Sequence, residues 1–228
     1  MELKLSDAAR CFDVPEKTIY NWIETRKFPA AKVNGQFRFS REALLEWAAE
    51  TGTRFSAQYL RDQDAAAPVL SLAESLTLGG VHFDIKGETP EAALTAATEL
   101  LQVPESVDRG FLLQMLLARE ALGSTGVGGG IAIPHPRNPI VLPVDRPLAS
   151  LFFLERPIDF HALDGRPVDI LFMLISPTVR IHLQVLSRLA YLLHDAPFKT
   201  LLTERRSAET LIARMRELES ILTPGKPA

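Results

Sequence analysis

Hydrophobic positions recur at helical spacing through the first fifty residues, lose their period over residues 51–68, and return beyond as alternating helix-like and strand-like runs. In the first stretch Ser6 is placed to cap a short helix that buries Ala8, Ala9 and Phe12. Asp13-Val14-Pro15 makes a turn, and a second helix over Glu16 to Thr25 sets Ile19, Trp22 and Ile23 on one face. Asn34-Gly35, between Ala31-Lys32-Val33 and Gln36-Phe37-Arg38-Phe39, is a strong hairpin signal, because both turn residues accept positive φ. Ser40 then caps a third helix, Arg41 to Glu50.

The aperiodic stretch is rich in Ala, Gln, Asp and Arg and reads as a connector, helical around Ala57 to Leu60. A second domain opens at Leu70-Ser71-Leu72, with a strand near Val81 to Ile85. Thr89 caps a helix that has Pro90 in its first position and runs to about Leu101. Ser106 or Asp108 starts another, with Phe111, Met115 and Leu116 inward and Arg119 near its end. Strands are expected at Gly130 to Ile133, Ala149 to Leu154 and Val168 to Ile175, the last two apolar enough for full burial. Helices close the chain at Val179 to His194, Pro197 to Glu204 and Ala208 to Ile221. The expected architecture is a small, mainly α helix-turn-helix with a hairpin wing over residues 1–50 and a linker over 51–68. An α/β domain with a mixed sheet flanked by helices follows over 69–224.

Composition adds little except exclusions. The 228 residues are 46% hydrophobic and 23% charged, as in an ordinary globular protein, and the net charge of −3 rules out a basic nucleic-acid coat. A single Cys11 excludes a disulfide framework and suggests a reducing compartment. No apolar run approaches the roughly 20 residues of a membrane span, and the amino terminus is already polar and patterned. A cytoplasmic protein without membrane insertion is the expectation.

Candidate chemistry concentrates between Gly123 and Arg137. The glycines there do not make a nucleotide-binding P-loop, since no Gly-Lys-Ser/Thr closes the run and a strand, not a helix, follows Gly130. A dinucleotide fingerprint fails too, because the strand follows the glycines. Glycines still allow close backbone approach and expose N–H groups to an anion. Pro134 ends strand pairing and delivers His135 at what reads as an exposed sheet end, where imidazole can act as nucleophile, proton shuttle or ligand. His182 falls at the front of a helix whose Leu183, Leu186, Ala190 and Leu193 are the buried stripe, and spacing alone makes it a solvated residue. No His, Cys or acidic set has metal-ligand spacing, so neither a metal nor a cofactor is expected.

Gly130-Ile-Ala-Ile-Pro-His135 resembles the phosphorylation-site motif of enzyme IIA of the bacterial phosphotransferase system, fructose/mannitol and nitrogen-regulatory type. Three further blocks carry the same likeness in order: Arg119 to Gly126, Pro167 to Phe172, and His182 to Ala190. The resemblance covers roughly Val69 to Leu222. It implies that His135 is a phosphoacceptor, that His182 lies beside it, and that Arg119 stands near the phosphoryl group. Ser124, Thr125 and Gly130 then become the phosphoryl loop. One departure is Ser176 to Ile181, shorter than the matching loop of nitrogen-regulatory members.

The first module resembles small winged-helix domains of the excisionase type, through Leu5 to Ala9, Thr18 to Ile23, Phe37 to Ser40 and Leu44 to Trp47. That likeness places Lys17, Thr18, Tyr20 and Asn21 toward the major groove and Lys32 and Arg38 of the wing near phosphates. Residues 1–50 nevertheless carry eight basic and eight acidic side chains, so sequence-independent attraction to DNA is small unless charge is polarised. Dimerisation would strengthen the DNA reading, and a homodimer stays open beside a monomer.

Together the two resemblances imply a regulator that accepts a phosphoryl group on His135 from a histidine phosphocarrier protein and uses it to control DNA binding. Two rivals stand beside it. One is a phosphohistidine phosphotransferase for sugar transport that passes phosphate to a IIB component, its winged helix docking proteins. The other is a regulator that acts by protein contact alone.

Overall fold

The computed structural model describes residues 2–33, 35–51, 53–56, 58–59, 71–136, 142–162 and 164–222. The first module runs β1 (Glu2–Leu3), α1 (Leu5–Phe12), α2 (Glu16–Thr25), β2 (Ala31–Val33), β3 (Gln36–Ser40) and α3 (Arg41–Thr51). Its strands form an antiparallel sheet in the order β1-β3-β2. Ser6 is not the cap of α1. Lys4 occupies that place, and the Asp7 carboxylate accepts the Lys4 N–H at 3.0 Å, so the helix starts earlier than its Ser signal suggests. The core is aromatic. Phe12 and Phe28 meet Trp47 edge-on, with ring centroids 5.7 and 4.7 Å away.

Residues 53–56 are packed rather than loose. Phe55 is buried with its ring 4.8 Å from Phe12, and the Ser56 N–H donates to the Cys11 carbonyl at 2.8 Å. Burial pushes the Cys11 thiol up to about 11, which keeps it protonated. Of the helix expected at Ala57 to Leu60, only residues 58 and 59 belong to the described residues, and both are helical.

The second module contains α4 (Leu72–Gly79), β4 (Val81–Ile85), α5 (Pro90–Leu100), α6 (Arg109–Ala121), β5 (Gly126–Gly128) and β6 (Ile131–Ala132). It continues with β7 (Leu148–Ile158), β8 (Val168–Ile175), α7 (Val179–Leu192), α8 (Ala196–Thr203) and α9 (Ala208–Leu222). Its mixed sheet has the order β4-β7-β8-β6-β5, with β4–β7 and β6–β8 parallel and the other two pairs antiparallel. Helices cover both faces. Leu94, Ala97, Leu112 and Leu116 pack with Phe152, Leu171 and Met173 on one side. Leu76, Val185, Leu189, Phe198 and Met215 pack with Leu151, Phe153, Phe172 and Leu174 on the other.

Two elements and one face depart from the sequence expectation. Helix α4 starts at Leu72, capped by Ser71 and also by Glu219 of α9, which accepts from the Ser71 hydroxyl and the Leu72 and Ala73 N–H groups. Arg188 of α7 balances that buried carboxylate at 3.3 Å. Strand β5 forms from glycines that read as loop, because β6 pairs with it. In α6 the inward stripe is Leu112, Leu116 and Arg119, while Phe111 is exposed.

Helix α3 belongs to both modules. It packs against β5 and α7, and one hydrophobic core continues across the boundary. The segment after it extends the contact: Arg54 lies over the Tyr191 ring at 5.3 Å, and His194 hydrogen-bonds the backbone of Thr53. No described helix is long and apolar enough to cross a membrane.

Candidate functional site

Strand β6 ends at Ala132, and the backbone continues extended through Ile133, whose N–H donates to the Thr125 carbonyl at 2.9 Å. Pro134 then stops pairing from its own nitrogen, while its carbonyl accepts from the Leu174 N–H of β8 at 3.1 Å. His135 is thereby held at the end of the sheet, over the face that α7 covers. It is only 2% exposed, so the expected open position is wrong; the His182 ring of α7 packs against it. His135 Nδ1 lies 2.7 Å from the Ile133 carbonyl. A carbonyl only accepts, so Nδ1 carries the ring proton and Nε2 carries the lone pair of the neutral ring.

His182 sits in the first turn of α7 and is 1% exposed, so the solvated position that its spacing suggests does not hold. Its ring lies 4.8 Å from that of His135, tilted by 37°. Thr178 caps this helix, its Oγ1 accepting from the Ile181 N–H at 3.2 Å. An N-terminal helix turn beside a histidine pair favours negative charge there.

Arg119 is buried at the end of α6, and its Nη1 donates to the Gly123 carbonyl at 2.9 Å. Gly123 and Ser124 immediately precede Thr125, which pairs with Ile133, so Arg119 is tied to the segment flanking His135. The Ser124 oxygen accepts from the Gly126 N–H at 2.9 Å. Thr125 is different. Both its N–H and its hydroxyl donate to the Glu120 carboxylate, which removes it as a phosphoryl donor.

Gly130 does not join the group. It opens β6 at the end opposite His135, and its carbonyl accepts from the Asp169 and Ile170 N–H groups. Its φ of +83° and the Asp169 carboxylate 2.8 Å from where a Cβ would stand explain the glycine without any ligand. The anion held by this turn is the chain's own: Gly129 N–H donates to Asp164 at 2.8 Å, and that bond holds the Asp164 carboxyl below its usual range. Among the described residues no group of three His, Cys, Asp or Glu could hold a metal ion.

In the first module a depression of about 460 Å³ is lined by Lys4, Glu16, Tyr20, Lys32 and Arg38. Tyr20, 47% exposed, packs edge-on to Phe37, and Lys32 lies over the same ring at 5.7 Å. Lys17 and Asn21 are exposed one turn apart on α2. Thr18 is half-buried, its N–H tied to the Pro15 carbonyl. Lys4 was not among the expected contacts. Its place on the wing side follows from β1 pairing with β3, which no local signal announces.

The family described as "Phosphoenolpyruvate-dependent sugar phosphotransferase system, EIIA 2" matches residues 74–217, and a helix-turn-helix domain family matches residues 2–52. A nitrogen regulatory protein of Pseudomonas aeruginosa is 36% identical over 147 residues, which is 63% of this chain and 93% of the relative. The crystal structure of nitrogen regulatory protein IIA-Ntr from Neisseria meningitidis superposes with a TM-score of 0.56 at 32% identity, covering 63% of this chain and 98% of that one. The fructose-specific EIIABC component of Bacillus subtilis is 29% identical over 63% of this chain, but only 22% of that longer protein is covered.

Proposed function

The chain belongs to the EIIA 2 family of the phosphotransferase system and carries a helix-turn-helix domain ahead of it; from that premise we propose that it is a phosphorylation-responsive regulator of DNA. His135 accepts a phosphoryl group from a histidine phosphocarrier protein, and the winged helix carries the response.

The observation that carries this reading is the bond from His135 Nδ1 to the Ile133 carbonyl, 2.7 Å long, beside a second imidazole. It leaves Nε2 as the nucleophile. In transfer, Nε2 attacks phosphorus as the donor's P–N bond breaks, and the electron pair of that bond returns to the donor ring. The His135 ring becomes positive at Nδ1–H as the new bond forms, and the Ile133 carbonyl stabilises that charge. Phosphoryl transfer has a loose transition state, so positioning and charge stabilisation supply most of the acceleration. In this reading His182, Arg119 and the N-terminal turn of α7 supply it.

Regulation, rather than transport alone, is supported by α3 packing on β5, the strand paired with β6, and on α7, the helix that carries His182. A phosphoryl group adds about −1.5 to −2 charges, and α7 gives that charge a packed route to the first module. The likeness to a fructose-specific EIIABC component favours a second reading, transfer onward to a IIB component. The test is DNA retention by the full chain before and after phosphorylation. A phosphorylation-dependent change in affinity supports the regulator, and equal affinity together with rapid transfer to a IIB partner supports the second reading.

A further inference from the structure

The strands that flank the histidine site end together. β6 and β8 run parallel in the register Ile131↔Ile170 and Ala132↔Leu171, and Leu174 N–H bonds the Pro134 carbonyl. His135 leaves one strand and Ser176 leaves its neighbour at the same edge. From Ser176 the chain turns through Pro177 to Thr178, the cap of the helix that holds His182. Ser176 is thus bracketed between the neighbour of one histidine and the helix of the other.

Its side chain is 1% exposed, and its Oγ has no hydrogen-bond partner among the described residues. Buried hydroxyls are nearly always satisfied, and one that is not calls for an explanation, a group bound beside it being one. Local relief is restricted, since Pro177 has no N–H to offer the serine oxygen. The first turn of α7 begins three residues on and orients its positive dipole end toward the same region.

Resting on the phosphoryl reading of His135, we propose that Ser176 Oγ–H, with the first turn of α7, forms an oxyanion subsite for the phosphoryl group on His135. Ser176 donates to a phosphoryl oxygen and so acts on the bound group, not on the nucleophile. Among the described residues the hydroxyl has no partner before phosphorylation and gains one with it, which makes the phosphorylated state the satisfied one.

This predicts opposite signs for one substitution. Wild-type protein and Ser176→Ala are equilibrated with potassium phosphoramidate, whose P–N bond breaks with loss of ammonia as the His135 P–N bond forms. Occupancy and phosphorus chemical shift are read by phosphorus NMR, and the melting temperature of each unphosphorylated protein is recorded. In Ser176→Ala the phosphorylation constant should fall by at least about tenfold, the lower end for one hydrogen bond to a charged group. The phosphorus resonance should move, and the unphosphorylated protein should melt at the same temperature or higher. An unchanged constant and resonance would overturn the subsite and leave the hydroxyl to a buried water. A lower melting temperature with an unchanged constant would overturn it in favour of a structural serine. A wild-type chain that takes no phosphoryl group at His135 removes the reading underneath, and the inference with it.

Discussion

The imidazoles of His135 and His182 face each other with centroids 4.8 Å apart, brought together from a strand end and a helix start that lie 47 residues apart in sequence. Both are buried, so a charge developing between them is poorly screened by water. Replacing His182 by Ala should leave His135 able to accept a phosphoryl group but slow the transfer by about 10²–10³-fold, the usual loss for one preorganised donor. Single-turnover labelling checks this. A rate within twofold of wild type would remove His182 from the transfer.

The module boundary should respond to acid through His194. Burial first, then repulsion by Lys199 and Arg54, hold its pKa below the ordinary 6.5, against a bond to the Thr53 backbone that favours the charged ring. The folded state therefore binds fewer protons than the unfolded one. Its contribution to stability is complete above pH 6.5 and drains away as the pH falls through the lowered folded value. Melting temperatures between pH 7.5 and 5.0 should decline, and His194→Gln should decline less over that window. Parallel curves would mean that the ring titrates alike in both states.

Phe55 anchors the segment after α3 in the aromatic core of the first module. Phe55→Ala should cost about 3–5 kcal/mol, the range for a fully buried aromatic side chain. Urea unfolding followed by tryptophan fluorescence reads this directly, because Trp22 and Trp47 both lie in that core. A loss below about 1 kcal/mol would show that residues 53–56 act as a passive tether.

What was legible in the sequence was mostly what is decided locally. Thr89 and Asp108 accept from N–H groups three residues ahead, so their helices declare their own starts. Asn34-Gly35 announced the wing in the same way, although Asn34 itself lies outside the described residues. What was missed is decided by distant partners. Helix α4 depends on Glu219, whose capping contacts span about 147 residues. β5 is a strand because β6 offers it a ladder, and His135 is buried beside a ring 47 residues away in sequence. Ordered blocks resembling a family brought His135, His182 and Arg119 into view together. The same likeness put Gly130 into the site, but its carbonyl is committed to Asp169 and Ile170 at the other end of the strand.

The face between α2 and the wing should behave as a phosphate-contact surface if the first module holds DNA. Lys32→Ala should weaken retention about equally on all sequences and reduce the slope of log affinity against log salt by about 1. Tyr20→Ala should change sequence preference as well. Titrations at several salt concentrations separate the two effects. An unaltered salt slope for Lys32→Ala would take the wing off the phosphates.

The most direct test of the account is intact mass after incubation with phosphoenolpyruvate, enzyme I and a histidine phosphocarrier, alongside His135→Ala. The account predicts a single acid-labile phosphoryl adduct on the wild-type chain and none on the variant. An adduct that persists in His135→Ala, or no adduct with any phosphocarrier, would contradict it.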